Sequence, residues 1–154
     1  MTARPNVGSV STDAAAAADA FRAGLQAGHD QRDADILNHQ FSADVVCGSP
    51  YGALINGYDR LHPIHVRFQQ AAGEKPQFRY EVRHVLGLGD EVVVAHIARV
   101  ALDSDGGPLP PSSDPAQPFS EMAMYVLVRR DGQWWLAAGQ HTPMRPGGAV
   151  SATT

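Results

Sequence analysis

Four strand-like segments in the second half of the chain constrain the fold more than any other feature. From position 78 to Leu86 the even residues are apolar, aromatic or histidine, while the odd residues from 79 to 83 are charged. This period of two is typical of a strand with one buried face. Gly89-Asp90 and Asp131-Gly132 are turn signals that join neighbouring strands into hairpins. Three further strands are predicted over residues 91–102, 119–129 and 133–142, with a long Pro- and Ser-rich loop over 103–118.

The first half of the chain predicts helices that can cover one face of this sheet. An Ala-rich run follows Ser11, whose hydroxyl is a good N-cap, and apolar residues keep helical spacing to about Gly28. A second, short helix is predicted from Asp33 or Asp35 through Phe41. A third helix is predicted over 58–72, and short strands over 43–48 and 54–55 precede it.

These elements predict one α+β domain over residues 12–143, with three N-terminal helices packed on a curved, mainly antiparallel sheet. Residues 1–11 and 144–154 are predicted to be flexible tails, because they combine Pro, Gly, Ser and Thr without any periodicity. A curved sheet closed by helices forms a cone with a hollow centre. Such a hollow is suited to a small-molecule ligand.

Composition narrows the partners and the compartment. The net charge is -4, and of the 12 Lys and Arg residues only one is Lys. The Arg residues are scattered along the chain and do not form the basic stripe that is typical of nucleic-acid binding. No apolar run approaches the roughly 20 residues of a membrane span, so neither nucleic acid nor a membrane is expected as a partner. The single cysteine, Cys47, allows no internal disulfide and favours a reducing, cytoplasmic location.

Turn arithmetic predicts which residues face each other. A two-residue loop at Gly89-Asp90 pairs Tyr80 with Arg99 and His84 with Ala95, on the inward side. The last hairpin leaves two registers open, which differ in the face that looks inward. A two-residue loop pairs Leu127 with Leu136 and Tyr125 with Ala138, whereas a three-residue loop with a bulge pairs Val126 with Leu136 and Met122 with Gln140. Both faces of these strands are apolar, so we expect a homodimer through the face that the helices do not cover.

Four residues are candidates for acid–base chemistry. His84 lies on the apolar side of the alternating strand and could exchange a proton near neutral pH. Arg99 and Tyr80 are predicted beside each other, where they could stabilise a developing oxyanion. His65 shares one face of the third helix with Leu61 and could assist. Each also has a purely structural interpretation, as a hydrogen-bonded core residue or a residue at the rim of the sheet.

Further side chains are expected to line the cavity: Tyr51, Phe68, Glu121, Gln140 and Trp134. Small inward residues, namely Ala95, Ala138 and Ala123, would leave a hollow of the order of a few hundred Å³. The histidines show no metal-ligand spacing, so we expect no metal and no other cofactor.

Several segments carry a family resemblance: 41–46 (FSADVV), 57–62 (GYDRLH), 86–91 (LGLGDE), 129–134 (RRDGQW) and 140–143 (QHTP). In these segments and in its order of elements, the chain resembles the NTF2-like superfamily. It is most similar to the SnoaL-like or ketosteroid-isomerase-like group, in particular to a branch of small bacterial proteins. The resemblance implies a cone-shaped fold with a ligand cavity. It does not imply one activity, because the superfamily contains isomerases, cyclases, hydrolases and non-catalytic binders.

Departures from the family pattern narrow the chemistry. Ketosteroid isomerases carry an Asp base in the turn after the first strand, where this chain has Ser49, and a Tyr on the first helix, near Gln26 here. An authentic ketosteroid isomerase is therefore disfavoured, and the Arg and two Asp of limonene-epoxide-hydrolase-like members are not evident. We expect a cofactor-independent isomerase, cyclase or hydratase acting on a small apolar molecule. The alternative is a non-catalytic ligand-binding or accessory protein with the same pocket.

Overall fold

The computed structural model of the protein describes residues 2–9, 11–71 and 73–146. Its elements in chain order are α1 (Thr12–Asp30), α2 (Ala34–Leu37), β1 (Phe41–Gly48), β2 (Leu54–Asn56), α3 (Tyr58–Gln70), β3 (Gln77–Leu88), β4 (Val92–Leu102), β5 (Glu121–Arg130) and β6 (Gln133–Pro143). The six strands form one sheet in the order β2-β1-β6-β5-β4-β3, in which only β1 and β6 pair in parallel. The predicted α+β architecture is confirmed.

The helices begin where side-chain caps satisfy their first amides. Ser11 Oγ accepts a hydrogen bond from Ala14 N at 3.0 Å, which starts α1 as predicted. Asp33 caps α2, because its side chain accepts hydrogen bonds from Asp35 N and Ile36 N. The prediction that this second helix continues through Phe41 is wrong. It ends at Leu37, and Phe41 opens β1 beside Leu136 of β6, because its ring is buried in the sheet core.

The core lies between the helices and one side of the sheet, which we call the inner face; the opposite side is the outer face. Buried side chains of α1, among them Phe21 and Leu25, pack there against the fully buried Val45, Leu127 and Leu136. α1 packs mainly on β3 and β4, whereas α3 packs on β1 and β2. The helices therefore cover most of the strands on one side only.

A one-residue register shift in β3 overturns part of the predicted pairing. Tyr80 pairs with Arg99 as predicted, but the register shifts at Arg83, after which His84 pairs with His96 rather than with Ala95. The loop to β4 also has three residues, 89–91, with Gly89 at φ 67°. The bulge at Arg83 reverses the alternation. His84 is consequently exposed on the outer face, and its predicted inward orientation is wrong.

A second shift, in β6, settles the register that the sequence leaves open. The Asp131-Gly132 turn is a two-residue loop, with φ of 52° and 77° as a type I′ turn requires, and Leu127 pairs with Leu136. Ala137 is then an extra residue, so Tyr125 pairs with Gly139. Neither predicted register holds beyond this point. Ala138 moves to the outer face, and its predicted inward position is wrong, whereas Ala95 and Ala123 are buried on the inner face.

Two residues just outside the predicted domain, one at each end, form backbone hydrogen bonds. Ser9, inside the predicted N-terminal tail, forms two backbone hydrogen bonds with Gly87 of β3, at 2.7 and 3.0 Å. Met144 N donates to Ser120 O. Of the predicted tail at 144–154, residues 147–154 lie outside the described residues. Across the part of the chain that is described, no helix combines the length and the apolar character needed to cross a membrane.

Candidate functional site

An ion pair lies on the inner face, where β4 and β5 run side by side. Arg99 and Glu121 are Cα partners, and Arg99 Nη2 lies 2.8 Å from Glu121 Oε1. The Glu121 side chain is 5% exposed and that of Arg99 is 26% exposed. A carboxylate removed from water to this extent needs a compensating cation, and Arg99 supplies it.

Aromatic rings hold the Arg99 guanidinium from the other side. Its Cζ lies 4.1 Å from the centroid of the Phe78 ring and 5.7 Å from that of Phe119. Tyr80, the Cα partner of Arg99 on β3, extends the row of inner-face residues to a third strand. The predicted pairing of Tyr80 with Arg99 thus places Arg99 between Tyr80 and Glu121, although the proposed roles of Tyr80 and Arg99 remain predictions.

His141 on β6 completes the cluster. It pairs with Ala123, two residues from Glu121 on the same face, and His141 Nδ1 lies 3.4 Å from Glu121 Oε2. This separation is at the limit of a hydrogen bond, and Oε2 is buried without a closer partner among the described residues. Arg99 Nε is buried in the same unsatisfied state. Unsatisfied buried polar atoms are rare in proteins, and a catalytic role is one of the explanations for them.

The pKa of Glu121 shows that the cluster favours the carboxylate. Burial alone would raise this pKa, but the contact with His141 and the positive charge of Arg99 outweigh burial and lower it. Glu121 is therefore ionised at neutral pH. The inner face thus presents a fixed, buried negative charge next to an arginine and an imidazole.

Two tyrosines stay protonated beside this charge. Tyr80 is half-buried as a residue, yet its hydroxyl is enclosed, and this burial raises its pKa to about 12. Burial also raises the pKa of Tyr125 well above its ordinary value, with contributions from Tyr80 and Glu121. Hydroxyls that keep their protons can donate hydrogen bonds to an anion that forms during a reaction.

His65 approaches the cluster from α3. Its Nδ1 lies 2.7 Å from Asn38 Oδ1, and its ring meets that of Phe41 edge-on at 6.0 Å. Burial lowers the pKa of His65 to about 4, with smaller contributions from the neighbouring His141 and His62 rings in their protonated forms. His65 is thus a neutral imidazole near His141 at physiological pH, and its predicted role in assisting catalysis stays a prediction.

Several predicted site residues lie away from this cluster. His84 and Gln140 are exposed on the outer face as a result of the two register shifts. Tyr51 is 76% exposed, with its ring edge-on to that of Phe119 at 6.1 Å, and Phe68 is 66% exposed. Trp134 packs on the core, but its partner Arg129 is eight residues from Glu121 along β5, about 26 Å at the usual strand rise. The structure therefore gathers Tyr80, Arg99, His65 and Glu121, and separates the other five.

Sequence reasoning missed His141, Tyr125 and Asn38. His141 lies inward because of the bulge at Ala137, which no simple alternation pattern reveals. Tyr125 was assigned to neither face because its register was open. Asn38 falls in the segment wrongly predicted as helix, and nothing in the sequence indicates that its side chain is buried between His62 and His65.

The two positions that depart from the ketosteroid-isomerase pattern have structural roles here. Ser49 Oγ accepts hydrogen bonds from Tyr51 N at 3.2 Å and from Ala53 N at 3.0 Å, so it shapes the turn after β1. Gln26 Nε2 donates to Phe78 O, and Gln26 Oε1 accepts from Tyr80 N. Gln26 thus ties α1 to the edge strand β3.

Two hollows open on the helical side of the protein. One, of about 310 Å³, is lined by parts of α1 and of the 35–40 segment. The other, of about 460 Å³, borders Asn38, Phe41 and Tyr58. The predicted cavity between the helices and the inner face stays a prediction. Within the described ranges, no three His, Cys, Asp or Glu side chains converge as metal ligands would.

A family comparison connects this architecture to known proteins. Residues 14–137 match the SnoaL-like domain family, which accounts for most of the chain. The chain belongs to the SnoaL-like domain family. Membership supports a small-molecule-binding protein of the NTF2-like type, as the resemblance implies. The SnoaL-like chain matches no curated protein.

Solved structures share the fold of this SnoaL-like protein. A domain of unknown function with a cystatin-like fold from Nostoc punctiforme is 14% identical, with a TM-score of 0.70 over 88% of this chain and 80% of that one. A ketosteroid isomerase-like protein from Erwinia carotovora atroseptica is 15% identical, with a TM-score of 0.67 over 89% of this chain and 100% of that one. An NTF2-like protein of unknown function from Pseudomonas putida is 15% identical, with a TM-score of 0.66 over 87% of this chain and 89% of that one. Identities this low establish the fold alone.

Proposed function

We propose that the protein binds a small, largely apolar molecule on its inner face and converts it by acid–base chemistry without a cofactor. The reaction class is isomerisation, cyclisation or hydration. The observation that carries the proposal is the buried Glu121 carboxylate, held 2.8 Å from Arg99 Nη2 and 3.4 Å from His141 Nδ1 on an otherwise apolar face. Ionisable groups that converge on such a face are costly to stability and are typical of active sites.

His141 is the proposed proton-transfer residue. The Glu121 carboxylate faces its Nδ1, so the neutral ring keeps its proton on that nitrogen and leaves Nε2 as the base. A contact of 3.4 Å is loose, but hydrogen bonds in unliganded sites commonly tighten when the ligand binds. Glu121 is thereby a positioning residue that also stabilises the imidazolium after proton transfer.

Arg99 and Tyr80 are the proposed stabilisers of the anion that forms on the ligand. Arg99 has a buried Nε without a partner among the described residues, so it retains donor capacity beyond its bond to Glu121. Tyr80 keeps its proton at neutral pH because of its raised pKa. Together they would supply two donors to an enolate or alkoxide oxygen.

A non-catalytic binding protein is the rival function, and one observation favours it. Arg99 is already neutralised by Glu121, and Glu121 Oε2 is enclosed, so the cluster is consistent with a structural ion pair beneath a passive pocket. The two functions differ in whether a bound ligand exchanges protons.

Proton exchange in D₂O separates these functions. The probes are small cyclic β,γ-unsaturated ketones, followed by NMR for loss of the protons next to the carbonyl. The parent protein should accelerate exchange, and His141→Ala should reduce the rate by about 100-fold, the usual contribution of a general base. His84→Ala is the matched control, because that histidine is exposed on the outer face. If the ketones bind but their proton exchange is not accelerated, the proposed catalysis is contradicted and the non-catalytic binding function is supported.

We also propose that two copies associate through the outer face. Val46 is 36% exposed and Met124 is 42% exposed there, next to the half-buried Val94 and Val126 on neighbouring strands. A contiguous exposed apolar surface on one side of a sheet favours an isologous contact with a second copy. A cytoplasmic location remains part of the proposal, supported by the single, buried Cys47.

A further inference from the structure

A chain of hydrogen bonds leads from the surface at Asp35 to the buried side of His65. His62 Nε2 lies 3.0 Å from Asp35 Oδ1, and Nδ1 of the same ring lies 3.0 Å from Asn38 Nδ2. Asn38 Oδ1 in turn lies 2.7 Å from His65 Nδ1. Asn38 is 1% exposed, so solvent cannot replace either of its partners.

The carboxylate of Asp35 determines where each proton sits. A carboxylate only accepts hydrogen bonds, so a His62 ring with one proton carries it on Nε2. His62 Nδ1 then has a lone pair, and both the Asn38 amide nitrogen at 3.0 Å and the Tyr58 hydroxyl at 3.1 Å can donate to it. The Asn38 oxygen is left for His65, whose Nδ1 must donate.

For a His62 ring with one proton, rotating the Asn38 amide by half a turn gives no equivalent arrangement. Its oxygen would then need a proton on His62 Nδ1, and the neutral ring would turn a bare Nε2 towards the Asp35 carboxylate. Two acceptors would face each other at 3.0 Å. The surrounding contacts also hold the ring: Tyr58 stacks on His62 at 4.9 Å with an interplanar angle of 13°.

We infer that Asp35, His62 and Asn38 are positioning residues that hold His65 as its Nδ1–H tautomer, with Nε2 kept as a hydrogen-bond acceptor. The inference gives a role within the proposed function to residues outside the inner-face cluster. His65 lies near enough to His141 for the charge of one ring to lower the pKa of the other. An acceptor fixed at this position matches a ligand that presents a hydroxyl or another hydrogen-bond donor.

The test observes the protonation of each histidine ring nitrogen directly by NMR, so it does not depend on catalytic activity. Protein labelled with ¹⁵N in its histidine rings is studied near pH 7.5 by long-range ¹H–¹⁵N correlation, in which protonated and bare ring nitrogens have well separated shifts. The parent should show the proton on Nδ1 in His65 and on Nε2 in His62. Single His62→Gln and His65→Gln variants assign the signals.

A surface variant then tests whether the chain is the cause. Asp35→Ala removes a side chain that is 86% exposed, so the fold is retained. The second tautomer of His65 should become detectable, with a redistribution of up to about fivefold, the upper range for an exposed ionic contact. Asp59→Ala, a neighbouring carboxylate in the first turn of α3, is the control and should leave both rings unchanged.

Each result decides the inference independently of the proposed function. An Nε2–H tautomer of His65 in the parent would overturn it, and so would equal spectra for the Asp35 and Asp59 variants. A parent with the expected tautomers that responds only to Asp35→Ala supports it, even if the proton-exchange assay detects no catalysis. Conversely, catalysis with a freely tautomerising His65 would leave the proposed function intact and remove this inference.

Discussion

Arg99 and Glu121 face each other across β4 and β5, with Arg99 Nη2 2.8 Å from Glu121 Oε1 on the face that the helices cover. The pair is asymmetric, because the carboxylate is nearly enclosed while the arginine side chain is 26% exposed. A buried pair of this kind adds little net stability as a whole, but removing one partner leaves the other charge uncompensated. The pair therefore predicts different outcomes for single and double substitutions.

Glu121→Ala should destabilise the protein by about 2 kcal/mol or more. The value lies below the roughly 3–5 kcal/mol of a fully buried pair, because Arg99 can still reach water. Replacing both residues, as Arg99→Met with Glu121→Leu, should recover most of this loss. Urea denaturation measures the free energies of unfolding, with Asp19→Ala, which breaks a surface pair with Arg22, as a control expected within about 0.5 kcal/mol of the parent. Equal losses at Glu121 and Asp19 would mean that the inner pair behaves as a surface contact.

His65 should make stability fall on mild acidification. The pKa of His65 is about 4 in the folded protein against an ordinary value of 6.5. Between these two pH values His65 is therefore protonated in the unfolded chain but neutral in the folded protein. The stabilisation is complete above pH 6.5 and is lost as the pH falls towards 4, by up to about 3 kcal/mol in total. Unfolding free energies across this window should therefore decline less steeply for His65→Gln than for the parent. His84→Gln, on the exposed outer face, should keep the slope of the parent; a parallel decline in all three proteins would contradict the assignment.

Short-range sequence patterns are sufficient to predict the main elements of the fold. Alternation from Phe78, the Asp131-Gly132 turn and the Ser11 cap each act within a few residues, and each is present in the structure. Such signals determine which elements form and in what order, and this was enough to recognise the α+β cone. They do not determine how far one strand slides along its neighbour once a residue is inserted.

Two inserted residues decide which histidine lies on the inner face of the sheet. The bulge at Arg83 turned His84 outward, and the bulge at Ala137 turned His141 inward, so one histidine replaced the other in the candidate site. The bulge at Ala137 lies where both faces are apolar, and the bulge at Arg83 lies inside a regular alternation, so a period-two pattern reveals neither of them. Arg99 and Tyr80 were paired correctly because the three-residue loop and the bulge at Arg83 offset each other beyond that point.

Gln26 should protect the open edge of the sheet. β3 is an edge strand, and Gln26 supplies a donor to Phe78 O at 3.0 Å and an acceptor to Tyr80 N at 2.8 Å. Gln26→Leu keeps the size of the side chain but leaves both backbone groups without this partner, at a cost of about 1–3 kcal/mol. Amide hydrogen exchange should accelerate at Tyr80 in this variant. Gln70→Leu, at an exposed position of α3, is the control. Unchanged protection of the Tyr80 amide in the Gln26 variant would show that the hydrogen bonds of Gln26 are not needed to protect this edge.

Met124→Glu should convert the proposed dimer into a monomer. Met124 is 42% exposed at the middle of the outer face, and burying a new carboxylate there against a second copy carries a desolvation penalty without a partner charge. Light scattering should give twice the 16.4 kDa chain mass for the parent at micromolar concentration and a single chain mass for the variant. Phe68→Glu is the matched control, because Phe68 is 66% exposed on α3, away from the outer face, and its replacement should leave the dimer intact. A monomeric parent, or loss of the dimer in the Phe68 variant alone, would place the contact elsewhere or remove it.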